Sequence, residues 1–136
     1  VNMWLPPGGH VDNNEDPIQT AIRECKEEMG IDISIFSDSS YKFTDDNLKN
    51  IYPPETILIE NVNDNKTGPH QHIDFIYFGY PNYSKFDLNS EWIWVNKKDL
   101  IDEVEFKNPH SKYFPPPNDV KILGLEALLK LKNLNK

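Results

Sequence analysis

Three glutamates, Glu24, Glu27 and Glu28, stand at helical spacing directly behind an arginine, Arg23. At about 100° per residue they gather within about 100° of one helix side. Carboxylates held that close repel one another, and a hard divalent cation relieves the repulsion. Magnesium takes oxygen ligands, keeps several waters, and is typically held by one or two carboxylates plus substrate phosphates. The pattern therefore reads as cation binding and, through the cation, as phosphate chemistry. A solvated acidic helix face is the other meaning of such a cluster. Glu15 and the pair Gly8-Gly9, at fixed distances upstream, weigh toward the first.

A helix must position these acids, and its ends are written in the chain. Asp16 is a good N-cap and Pro17 suits the first helical position. Gly30 supplies the left-handed residue that commonly stops a helix. Between them Ile18, Ala21, Ile22, Cys25 and Met29 form one apolar stripe, which predicts burial against a sheet. Lys26 lies nearer that stripe than the acids. Arg23 is placed to pair with Glu24 or with Glu15.

The whole stretch from Gly9 to Ile31 resembles the Nudix hydrolase signature. That signature runs Gly, five residues, Glu, seven residues, Arg-Glu, an apolar residue, any residue, Glu-Glu, any residue, Gly and an apolar residue. Here the places are filled by Gly9, Glu15, Arg23-Glu24, Cys25, Glu27-Glu28, Gly30 and Ile31. Cys25 stands where a larger aliphatic is usual, and a buried thiol behaves as a small hydrophobe. The resemblance implies one domain over 1–136, an α/β/α sandwich on a mixed sheet. It implies metal-dependent hydrolysis of a diphosphate bond in a nucleoside diphosphate linked to another moiety. By the same resemblance Glu24, Glu27 and Glu28 hold Mg2+ or Mn2+, with a backbone carbonyl at Gly9, and Glu24 is a further candidate base. Arg23 orients Glu24 or Glu15, and Glu15 acts through water or by fixing the loop. Two alternatives stay open: a Nudix-fold nucleotide-binding or sensor module, and a non-nucleotide pyrophosphohydrolase or isomerase.

Relatives usually carry a few tens of residues before the signature, forming sheet strands and part of the substrate pocket. Here Val1 to Leu5 reads as the end of such a strand, so the N-terminal strands are expected to be lacking. An uncovered sheet edge would follow.

The 136 residues suffice for one core, and the formal net charge of −8 argues against a nucleic-acid backbone as partner. A single Cys excludes an intrachain disulfide and a zinc site built from several thiolates. No apolar run approaches about 18 residues, and nothing resembles a signal peptide. A cytoplasmic protein acting on a small phosphorylated molecule, with no membrane partner, is the expectation; many relatives are dimers.

Beyond Gly30, residues 31–36 alternate as a strand. Residues 37–54 form a polar loop with a turn near 45–49, in which Tyr41, Phe43 and Tyr52 either anchor the loop or stack on a ring. Thr56–Val62 and His72–Tyr80 pair as a hairpin across the turn residues Asn63 to Gly68. Residues 91–95 read as a short strand and 97–103 as a short helix. Residues 107–118 read as an extended connection, and Asn118 or Asp119 caps a last helix covering the sheet. Gly124 within that helix permits close packing.

His70, His72 and Asp74 share one strand face by the two-residue period. Two imidazoles and a carboxylate on one face would bind a transition metal, contact phosphate or serve as base. The segment also resembles a strand in those Nudix proteins that carry a Gly-Gly-His loop, and His10 after Gly9 fits that loop. In that reading His10, His70 and His72 contact substrate phosphates or a bound water. Family members also place a carboxylate near the late strand, and Glu91 is the nearest match, with Asp87 second.

Overall fold

A computed structural model describes residues 3–38 and 42–135. Helix α1 (Pro17–Met29) begins and ends where its capping residues put it. Asp16 Oδ1 accepts the Gln19 backbone N–H at 2.9 Å, and Gln19 Oε1 accepts that of Asp16 at 2.9 Å, a reciprocal capping box. Gly30 closes the helix in the left-handed region at φ 78°, its N–H on the Lys26 carbonyl. Most side chains with a Cβ adopt that conformation only with strain.

Three antiparallel two-stranded ladders follow. β1 (Ile33–Phe36) pairs with β4 (Phe78–Pro81), and β2 (Thr56–Asp64) pairs with β3 (Gly68–Ile76). β5 (Phe106–Lys107) pairs with β6 (Tyr113–Phe114). The α/β class is as expected, and every pairing among the described residues is antiparallel. The expected long strand 72–80 is divided at Tyr77, so that its first part serves β2 and its second part β1. Gly79 permits the second pairing, since a Cβ there would stand 3.0 Å from Ile33 Cδ1.

Four local expectations are corrected. Residues 91–95 form no ladder; they lead irregularly into α2 (Lys97–Ile101), capped by the Asn96 side chain. The connection after Phe106 is a small hairpin, β5–β6, closed by Asn108, whose Oδ1 accepts two backbone N–H groups. Helix α3 (Asn118–Leu134) takes Pro117 as its cap, with no side chain bonding its first turn. Met3 to Leu5 are not in a strand; Trp4 instead donates its indole N–H to the Phe114 carbonyl at 3.1 Å. Val1, Asn2 and Tyr41 lie outside the described residues. Phe43 and Tyr52 are exposed and do not anchor their loop in the core.

Among the described residues the buried ones are Cys25, Ile31, Phe78, Leu100 and Pro116, with Thr20. Ile31, directly after Gly30, is 1% exposed and is the deepest of them. A Cβ at Gly124 would meet Leu100 Cδ2 at 2.9 Å, which is how closely α3 packs on α2. The β2–β3 hairpin has an unusual orientation. On β3, His70, His72, Asp74 and Ile76 are half-buried, whereas Gln71, Ile73 and Phe75 are exposed. Ile57 and Ile59, paired with Phe75 and Ile73, are exposed as well. This hairpin turns His70, His72 and Asp74 inward and Ile57, Ile59, Ile73 and Phe75 outward. No helix among the described residues is long and apolar enough to cross a membrane.

Candidate functional site

The loop from Gly8 to Asp16 folds back onto α1 through a turn in which Asn14 holds φ 63°. Asparagine tolerates that conformation better than most residues. The turn is closed by the Glu15 N–H on the Asp12 carbonyl at 3.2 Å. It delivers Glu15 to Arg23, eight positions further on.

Arg23 is the hub. Its Nε and Nη2 hold Glu15 through both carboxylate oxygens, at 2.9 and 3.0 Å. Nη1 donates to Glu24 Oε1 at 2.7 Å and to Glu27 Oε2 at 3.2 Å. Nη2 also donates to the His10 carbonyl at 3.1 Å. All five N–H groups of the guanidinium are thus engaged. Asp12 adds a looser ion pair at 3.5 Å. Thr20, buried although polar, donates its hydroxyl to Glu15 Oε2 at 2.8 Å. The Arg23 hydrogen bonds first, and then the Thr20 hydroxyl, hold the Glu15 carboxyl down at about 2. Glu15 first, then Glu24, and with them Asp12, raise Arg23 above its ordinary value.

The glycine pair meets the helix acids directly. Gly8 donates its backbone N–H to Glu28 Oε2 at 3.2 Å. A Cβ on Gly9 would fall 2.1 Å from Glu24 Oε1 and 2.8 Å from Oε2. Only a residue without a side chain lets the loop lie against the Glu24 carboxylate.

Each helix glutamate keeps one oxygen free. Glu24 Oε2, Glu27 Oε1 and Glu28 Oε1 accept no hydrogen bond among the described residues. These hard oxygens suit Mg2+ or Mn2+. The three carboxylates do not yet form one tight shell, for no choice of one oxygen from each lies within 4.8 Å of the others. Glu27 stands 60% exposed, against 15% for Glu24, and is the acid that reaches furthest into solvent.

The histidines cluster beside the same loop. The rings of His10 and His72 meet edge to face at 5.5 Å, and those of His70 and His72 lie 4.8 Å apart. His10 therefore joins the two regions, its carbonyl on Arg23 and its ring on His72. Glu91 is not brought in. It is exposed in a turn closed by the Trp92 N–H on the Asn89 carbonyl, and no bond ties it to α1; Asp87 is exposed nearby.

Three residues are functional candidates or supports that sequence reasoning missed. Asn89 donates its amide to the Glu28 carbonyl at 2.6 Å and so ties the 82–96 connection to the end of α1. Thr20 secures Glu15; it lies on the acidic side of α1, one turn before Glu24, and that position was the only signal for it. Glu60 faces His72 across the hairpin. That register was readable, because the turn pairs Asp64 with Gly68 and every pair behind it follows.

Together these features define an α/β domain whose polar centre lies where a glycine loop is clasped to a carboxylate-bearing helix. The family described as "NUDIX domain" matches residues 1–116. A crystal structure of a NUDIX-family hydrolase from Clostridium perfringens superposes with a TM-score of 0.66 at 27% identity, covering 95% of this chain and 82% of that one. The chain is 50% identical over 34 residues to the asymmetrical bis(5'-nucleosyl)-tetraphosphatase of Mus musculus, 25% of this chain and 23% of that protein. It is 44% identical over 73 residues to a probable DHNTP pyrophosphohydrolase of Lactococcus lactis, 54% of this chain and 37% of that protein. The chain thus matches well under half of each of these two relatives' length. It belongs to the Nudix family.

Proposed function

We propose that this chain hydrolyses a diphosphate bond in a small phosphorylated substrate, a nucleoside diphosphate linked to another moiety. Mg2+ or Mn2+ would be held by Glu24, Glu27 and Glu28, with the Gly9 carbonyl completing the set. The observation that carries this reading is the Arg23 hub. It binds one oxygen each of Glu24 and Glu27 and both of Glu15, while the opposite oxygens of Glu24 and Glu27 stay open. The names of the mouse and Lactococcus relatives, a tetraphosphatase and a pyrophosphohydrolase, support the same bond type.

A bound divalent cation screens the anhydride's charge and lowers the pKa of a coordinated water. The chain's own groups do the positioning. Arg23 keeps Glu24 and Glu27 on one side of α1, and Glu15 fixes the loop that carries Gly8 and Gly9. The Gly8 N–H orients Glu28. Glu24, pressed against Gly9 and largely shielded from water, is placed to act as ligand or as base.

The decisive experiment is a panel of dinucleoside polyphosphates, ADP-ribose, nucleotide sugars and nucleoside triphosphates, run with Mg2+ and with Mn2+. Cation-dependent release of phosphate-containing product, abolished in Glu27→Gln, is the expected result. Binding of a nucleotide without turnover on any member of the panel would replace the reading with a sensor module.

A further inference from the structure

We infer that the face of the β2–β3 hairpin bearing exposed Glu60 and half-buried His72 and Asp74 is a second metal site, which takes a divalent transition ion such as Zn2+ through these three residues. It shares no ligand with the oxygen-only set on α1. One ligand atom from each of the three residues lies within 4.8 Å of the other two. Among the described residues this is the one group of three or more His, Cys, Asp or Glu gathered so closely. Ligands on a tetrahedral zinc ion stand about 3.4 Å apart, given bonds of about 2.0–2.2 Å. Modest side-chain rotation closes the difference.

The hairpin register builds the set. Glu60 and His72 are direct cross-strand partners, and Asp74 follows His72 on the same face. An imidazole with two carboxylates favours a borderline ion over Mg2+, which prefers oxygen alone.

A second observation concerns the support of His72. His70 Nδ1 lies 2.9 Å from the Gly68 carbonyl, so in the neutral ring that nitrogen carries the hydrogen and donates. Its Nε2 is then a lone pair and accepts from His72 Nε2 at 3.0 Å. His72 is left with Nδ1 as its free lone pair. A metal-binding histidine commonly donates its other N–H to a fixed acceptor, and here His70 is that acceptor.

The third observation is orientation. The hairpin exposes Ile57, Ile59, Ile73 and Phe75 while half-burying His70, His72 and Asp74. Burial of apolar area would favour the opposite arrangement. A cation held there would stabilise the half-burial of His72 and Asp74. Cys25 does not compete, since it is buried in α1, on the other element.

The test is titration of the dialysed full chain with Zn2+ in excess Mg2+, followed by calorimetry, with Co2+ absorption as a second probe. A single tight equivalent is expected. Glu60→Gln and His72→Ala each weaken it by roughly tenfold or more, while Glu27→Gln does not. Glu60 is exposed, so its substitution leaves folding intact and keeps the test decisive should His72→Ala unfold. Absence of a tight equivalent overturns the inference, as does unchanged affinity in Glu60→Gln, or loss in Glu27→Gln alone. The Glu27→Gln arm of the turnover assay stands or falls independently of these outcomes.

Discussion

Gly9 and Glu24 lie so close that the loop's backbone and the helix carboxylate share the space a single methyl would need. The obstructed atoms are the end of a side chain, so Gly9→Ala moves Glu24 before it unfolds anything. The expected outcome is a near-native melting temperature with turnover reduced by about 10²-fold, the scale of a misplacement of about 1 Å. Steady-state kinetics beside thermal melting check it.

Arg23→Lys keeps the charge and loses the fork. A lysine has three donors at one point and cannot hold Glu15 through both oxygens while reaching Glu24. Turnover is expected to fall by roughly 10–100-fold, the range for outer positioning groups of metal sites. The Mg2+ concentration for half-maximal rate is expected to rise. A Mg2+ titration of both proteins measures it.

Glu15 gives a pH signature. Its carboxyl is held at about 2, against an ordinary 4.5. The folded value lies below the unfolded one, so its stabilisation is complete above about 4.5 and is lost as pH falls toward 2. Glu15→Gln is expected to flatten that part of the melting curve against pH. Asp64, also held at about 2 by its turn, retains its share in both proteins, so the difference between them is the reading. An equal acid slope in the variant would count against the Arg23 attachment.

Gly30→Ala places a Cβ at φ 78°. The expected cost is about 1–2 kcal/mol of stability, read by urea unfolding. Ile31 follows immediately and anchors the core, so the loss falls on the whole domain.

Removal of divalent cations with a chelator is expected to abolish turnover, and Mg2+ alone to restore it. Saturating Mg2+ at about 100 times its dissociation constant is expected to stabilise the fold by about 2.7 kcal/mol. Glu27→Gln combined with Glu28→Gln is expected to remove that increment, as differential scanning would show.

Much of α1 was legible because its signals are local. Asp16, Pro17 and Gly30 act on their own backbone, and all three stand where the sequence placed them. The hairpin was legible for the same reason, through its turn and its alternation. What escaped depends on distant partners. Trp92 to Val95 alternate like a strand, yet no neighbour among the described residues pairs with them, and a strand is defined by its ladder. Asn89 reads as a loop residue until the Glu28 carbonyl lies beneath it. His10 and His72 are far apart in sequence, and only the fold-back of the glycine loop brings their rings together.

With every N–H of Arg23 already bonded within the chain, none remains to greet an incoming anhydride. On the proposed reading, a bare nucleotide nearing Glu27 would meet like charge, on a chain whose formal net charge is −8. One that arrives with its counter-ion would meet less of it. The choice of ion is thereby already a choice of substrate form.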